Sequence, residues 1–301
     1  MGYSVVTTVL APAASYDLTD LATAKIELSL KASDTSKDAW LQSLAIPQVS
    51  DDVQTYCKRP IVPELVQDAF DVEQDPYPYQ TPGGFRALLL MRWPALAILS
   101  VTQTIAFNTT QILAEGKDFR LDAENGILLR LNPFTGVQTL WEALPVTVTY
   151  TAGCGAMVIG EAHSVPASSP YTVTVAKATT FSCDHQVAYA SGAALTRVSA
   201  SPAIGQYTVE AGVYTFNGAD AAAALTFTYA TVLIPPGVTE IVLRLVTARF
   251  KSKDRDPNLI QQDTPGVGSM RWWFGGAPGQ KGEFAPDLEA ALGKYRVQTV
   301  A

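Results

Sequence analysis

The residues in this chain best suited to covalent chemistry stand together at Cys183-Asp184-His185. In an extended strand, residues i and i+2 share a face. That spacing would set the thiol of Cys183 beside the imidazole of His185, the pairing a nucleophilic site requires. As metal ligands the two form half a set, with no second pair at matching spacing. The simpler reading is two structural residues on one strand, and a hydrolase built on them is the weaker alternative. A second concentration of charge runs from Arg249 and Lys251 through Lys253, Asp254, Arg255 and Asp256 to Pro257. Two carboxylates around an arginine could serve a metal or a phosphate. At the end of an amphipathic run they suit a salt-bridged interface better. Trp272-Trp273-Phe274, between Arg271 and Gly275-Gly276, is either an aromatic anchor for a partner or a segment folded onto its own core. GxxxxGK[ST], HExxH and GxSxG do not occur. No catalytic residue, metal set or cofactor is expected.

The elements that would position these groups fall into contrasting stretches. Val238, Ile241, Val242, Leu245, Val246 and Phe250 keep the spacing of one buried helical face after the breaker Pro235-Pro236-Gly237. Near the N-terminus, Thr19 is a candidate cap for a helix reaching about Leu30. A second helix runs from about Ser36 to Cys57, and Pro47 should kink it or open one turn. Short strands follow between 65 and 150, with Asn125-Gly126 marking a hairpin. Residues 1–17 read as a loosely attached arm and 156–165 as a small-residue linker. From 171 to 231 the chain is poor in charge and rich in Thr, Val, Tyr and Ala, as in a small all-β module. If that module were excised, Gly155 would run almost directly into Leu233, so the module reads as an insertion.

Composition narrows the classes. The 301 residues are 48% hydrophobic and 16% charged, ample for a core, and the net charge of −7 disfavours a nucleic-acid grip. Three cysteines far apart argue against a disulfide framework and a zinc site. No signal peptide and no membrane-spanning run is expected.

The order of these stretches carries a resemblance. LTDLATAKIELSL, a helix ending YCKRPI, LLLMRWPALAILSVTQ, KDFRLDAENGILLRL, VTVTYTAG, PPGVTEIVLRLVTARF and KDRDP follow one another, with FAPDLEAALGKYR near the end. The series resembles the head–tail connector (adaptor, head-completion) family of tailed bacteriophages and prophages, over 18–155 and 233–257. The extra residues 156–232 depart from its shortest members. The resemblance implies an α+β fold: a three-helix core with an antiparallel β-sheet, an inserted sandwich-like all-β domain and an extended C-terminal tail. The expected domains are an arm (1–17), the adaptor domain (18–155 plus 233–257), the inserted β domain (156–232) and the tail (258–301).

It further implies a structural virion protein, assembled in the host cytoplasm and placed in the neck. Its partners would be the portal protein, other neck or tail-completion proteins and itself, in a ring that is twelve-fold in the family. Genomic DNA would pass through unbound, and no membrane is involved. Residues expected at a portal or subunit interface are Arg249, Lys251, Lys253, Asp254, Arg255, Asp256, Trp272, Trp273, Phe274, Asp287, Leu288, Leu292, Tyr295 and Arg296. The competing reading is an adhesin-like or decoration protein that binds host glycan or neighbouring virion proteins through the β module.

Overall fold

The computed structural model describes residues 5–71, 79–80, 86–106, 109–141, 144–252, 261–264, 268–271 and 286–296. The chain divides into two units. One is built from Met1–Ser15 and Val62–Leu233, the other from Tyr16–Ile61 and Ile234–Ala301. The first therefore holds the early strands together with the whole of 156–232, a partition that differs from the domain limits expected above.

Nine strands open the first unit: β1 (Val5–Ala11), β2 (Glu64–Phe70), β3 (Tyr79–Gln80), β4 (Arg86–Leu89), β5 (Ala95–Ala106), β6 (Thr109–Leu113), β7 (Phe119–Asp122), β8 (Ile127–Arg130) and β9 (Val146–Ala152). They form a five-stranded sheet in the order β1-β2-β9-β5-β6 and a four-stranded sheet in the order β3-β4-β8-β7. The β-branched β9 is central, pairing antiparallel with β2 on one side and β5 on the other. Val146, Val148 and Tyr150, at every second position, enter a core that Leu88 of β4 and Leu128 of β8 also supply. Residues 5–11 are not an arm: Val5-Val-Thr-Thr-Val pairs along β2 as an edge strand.

Asp68 on β2 is completely buried. It accepts hydrogen bonds from the Thr7 hydroxyl (2.7 Å), the Tyr150 hydroxyl (2.6 Å) and the Met91 amide (2.8 Å). The Tyr150 oxygen in turn accepts from the Arg92 amide (3.0 Å), and the Arg92 guanidinium lies 3.6 Å from Glu64. Burial, and then the Asp68 charge, push the Tyr150 phenol far above its usual range. After β9 the chain needs glycine for space. A Cβ at Gly153, where φ is +139°, would fall 2.6 Å from the Val62 carbonyl oxygen, and one at Gly155 would fall 2.2 Å from that of Thr231.

Seven strands make the rest of the unit: β10 (Gly155–Ser164), β11 (Thr172–Thr174), β12 (Phe181–Tyr189), β13 (Thr196–Arg197), β14 (Gln206–Glu210), β15 (Val213–Phe216) and β16 (Ala224–Val232). Two sheets result, β10-β16-β12 and β11-β15-β14-β13, with β13 parallel to β14. Their shared core is aromatic, centred on Tyr214 and Phe227 in edge-to-face contact at 4.8 Å. The expected linker at 156–165 is instead strand β10, paired with β16. Its half-exposed side chains give little alternation, which is why composition alone suggested a linker. The ends of 156–232 lie side by side: Gly155 pairs with Val232, and the Leu233 amide donates to the Cys154 carbonyl (3.1 Å).

The second unit contains α1 (Leu21–Glu27), α2 (Asp38–Trp40), a π turn (Leu41–Ala45), α3 (Ile46–Cys57), α4 (Pro236–Ser252), the hairpin β17 (Gln261–Thr264) and β18 (Gly268–Arg271), and α5 (Pro286–Gly293). The cap of α1 is Asp20, not Thr19. Its carboxylate accepts from the Thr23 amide (2.8 Å) and hydroxyl (2.9 Å), and those donors hold its pKa below the usual value. Pro47 explains the π turn. It has no N–H, and just before it the Ile46 amide bonds five residues back to the Leu41 carbonyl. The buried stripe then reads Leu41, Ala45, Val49, Val53 and Cys57, leaving Leu44 exposed. Lys58 in the left-handed conformation (φ 57°) ends α3.

The α+β class stands, but the helical part is not a three-helix core. Among the described residues four helical segments pack there, α1, the joined α2–α3, α4 and α5. The fourth comes from the stretch expected to be tail. Among the described residues no helix is long and apolar enough to cross a membrane.

Asp68→Ala should cost about 3–5 kcal/mol in urea unfolding, because the buried Tyr150 hydroxyl and two part-buried donors lose their acceptor together. Tyr150→Phe should cost about 2 kcal/mol. Equal costs for the two would contradict the central place given to Asp68.

Candidate functional site

The described interface residues expected from sequence lie on α4 and on α5 or just after it, and two of them, Leu288 and Leu292, are buried. Val238, Ile241, Val242 and Val246 form the buried face of α4. At its far end Phe250 meets Trp40 edge-on at 6.0 Å. Arg249 reaches across to α3, donating to Gln48 Oε1 (2.5 Å) and Asp52 Oδ2 (2.6 Å). It clamps two helices of its own unit, while Lys251 is exposed.

On α5, Leu288 and Leu292 are buried, one turn apart on a single face. The Tyr295 carbonyl accepts from Arg59 Nε (2.8 Å). The Arg296 guanidinium stacks over the Tyr56 ring at 5.0 Å, and Lys294 approaches the Tyr295 ring at 4.9 Å. Asp287 is exposed and lies 3.6 Å from Arg244, which also pairs with Glu240 at 2.6 Å. Truncation at Pro286 would therefore remove two core leucines as well as a tail.

Sequence reading missed Gln48, Asp52, Tyr56, Arg59 and Arg244, the side chains that meet these residues. Of these, Tyr56 and Arg59 carried a signal, as parts of the motif YCKRPI that ends the helix. Lys253, Asp254, Arg255, Asp256, Trp272, Trp273 and Phe274 lie outside the described residues.

The Cys183-Asp184-His185 stretch does not assemble as i, i+2 spacing suggests. Strand β12 carries two register shifts against β16, which leave Ser182 and His185 as extra residues. Such bulges re-aim side chains. Cys183 joins Ala11, Leu65 and Ala230 in a small apolar cluster. His185 Nδ1 instead lies 2.8 Å from the Thr151 hydroxyl on β9, and the Ser182 hydroxyl donates to the Pro63 carbonyl (2.7 Å).

Asp184 accepts from the Tyr207 (2.5 Å) and Tyr214 (2.9 Å) hydroxyls. Burial, reinforced by the charges of Asp184 and Glu64, pushes the Cys183 thiol far up, the reverse of an activated nucleophile. Burial pushes His185 down to about 4. It raises Asp184 even against its two tyrosine donors. Among the described residues no cluster of three His, Cys, Asp or Glu side chains could hold a metal.

No family model and no curated protein matches this chain. Among solved structures, one similar chain belongs to the neck of an empty GTA particle computed with C6 symmetry. Its TM-score is 0.44 at 9% identity, over 98% of this chain and 97% of that one.

Two measurements check this geometry. Leu292→Ala should cost about 2–5 kcal/mol, whereas the half-exposed Arg249→Ala should cost less than about 1 kcal/mol. The reverse ranking would mean that α5 does not belong to the core. The pH dependence follows from His185. Its folded pKa of about 4 lies below the unfolded value of 6.5, so above pH 6.5 it is neutral in both states. As pH falls from 6.5 toward 4 the unfolded chain takes up the proton first, and stability is lost, by about 3 kcal/mol in total. His185→Gln should lack that slope. Asp184, with its raised pKa, acts in the opposite sense, but it is common to both proteins and cancels in the comparison.

Proposed function

We propose that this chain is a structural virion protein of the head–tail connector kind. It would be a subunit of an oligomeric ring that joins the portal to the neck or tail and extends the DNA channel. The observation that carries the reading is the ordered series of sequence motifs, together with the supporting roles their residues take. In YCKRPI, Lys58 stops α3 and Arg59 holds the Tyr295 carbonyl near the end of the KYR motif. In MRWP and VTVTY, the Met91 amide and the Tyr150 hydroxyl meet at Asp68, and the Arg92 amide donates to the Tyr150 oxygen. In the TAG turn, Gly153 fits where a side chain cannot.

Each motif preserves a shape rather than a reaction, as expected of a protein whose work is to present surfaces to copies of itself and to neighbours. The net charge of −7 is compatible with a passage that lets DNA move rather than one that grips it. The adjoining ends of 156–232 favour reading that segment as an insertion on the connector fold.

Purified protein with and without the portal, examined by native mass spectrometry and electron microscopy, tests the proposal. A ring seated on the portal is the expected result. A chain that stays monomeric and ignores the portal would sink it. Lys251→Glu combined with Asp287→Lys, at exposed positions, should weaken joining while leaving the unfolding midpoint within about 2 °C of wild type.

A further inference from the structure

Within the first unit, a cavity of about 910 Å³ opens between the five-stranded sheet and the β module. That is the size of a small-molecule site. Leu10, Leu65 and Leu99, from β1, β2 and β5, give it an apolar wall, and His185 and Arg197 line the opposite side. Arg197 Nη1 is buried and has no hydrogen-bond partner among the described residues. Guanidinium offers five donors and no acceptor, and it stays charged, so a buried N–H of this kind calls for an oxygen acceptor. Asp184 shares the lining and feels the Arg197 charge, but its two oxygens are engaged by Tyr207 and Tyr214. His185, also in the lining, is bonded to Thr151 through Nδ1 and adds no positive charge at neutral pH.

We propose that this cavity binds a small monocarboxylate with a hydrocarbon body. The carboxylate pairs with Arg197, in the fork geometry that guanidinium favours, and the hydrocarbon lies along Leu10, Leu65 and Leu99. A dianionic phosphate suits the site less. The lining holds a single cation, Arg197, whose charge already acts on the Asp184 carboxyl beside it, and the whole chain is acidic. The inference does not depend on the connector reading, since it concerns a cavity inside one unit.

Titration of octanoate into the full-length protein by calorimetry tests it, alongside octanamide, acetate and inorganic phosphate. Saturable one-site binding of octanoate is expected. Octanamide, which lacks the charge, and acetate, which lacks the chain, should each bind at least about tenfold more weakly. Arg197→Met should weaken octanoate by about tenfold or more, and Arg197→Lys should recover part of the loss. Hydrogen exchange of wild-type residues 194–199 should slow with octanoate, a readout that needs no variant to fold. No octanoate binding at millimolar concentration, equal binding by Arg197→Met, or phosphate binding as tight as octanoate would overturn the proposal.

Discussion

A carboxylate taken fully out of water must find its donors inside the protein, and the first unit is arranged around that constraint. Asp68 is satisfied only when β1 supplies Thr7, β9 supplies Tyr150 and the turn before β5 supplies the Met91 amide. The β module repeats the device. Asp184 of β12 needs hydroxyls from β14 and β15, and Glu161 of β10 accepts from Tyr229 of β16 and the Ala176 amide. Asp220 accepts from Tyr189 of β12. Burial raises the Glu161 pKa, but its donors, with Tyr229 foremost, outweigh that and hold it below the usual value. Such groups add little net stability over an apolar pair of the same shape, but they are costly to leave half-satisfied. A strand that slips by one residue turns its carboxylate to the wrong face. Each cluster therefore rejects alternative pairings, which a core of interchangeable Val, Tyr and Phe would do weakly.

This also explains how much could be read from the chain. Strands β2, β5, β9 and β16 and helix α4 announce themselves, because one face of each is apolar at the right period. The features that decide the site do not. The bulges at Ser182 and His185 depend on pairing with β16, and no local pattern encodes them. They turn a tempting Cys-x-His pair into two unrelated side chains. Strand β10 was invisible because its partner, not its composition, makes it a strand. Helix α5 was legible as a helix, yet its place in the core was not, since Leu288 and Leu292 could equally have served a partner. The acidic member of each tyrosine pair sits 23 to 82 positions away, at a range where sequence offers no period to follow.

The helical unit solves a different problem with the same economy of groups. Its interior is held by apolar stripes, and polar atoms settle the joints. The Gln54 side chain donates to the Tyr16 carbonyl (3.1 Å) and accepts from the Ile61 amide (3.0 Å). Buried Lys25 donates to the Ala32 and Asp34 carbonyls and pairs with Asp38 at 2.8 Å, fixing the loop before α2. With Arg249, Tyr295 and Arg296 engaged internally, Glu240, Arg244, Lys251 and Asp287 are the exposed charges that α4 and the start of α5 present among the described residues.

The bond from Arg59 to the Tyr295 carbonyl spans 236 positions, and that separation has a consequence in time. As the chain leaves the ribosome, Tyr16–Ile61 appears early with the apolar face of α3 uncovered. Residues 62–233, which complete a unit of their own, are all made before α4 and α5 arrive to cover it. The helical unit is thus begun early, right after β1, and is the last closed. During that interval its exposed stripe is the part of the nascent protein most open to wrong partners.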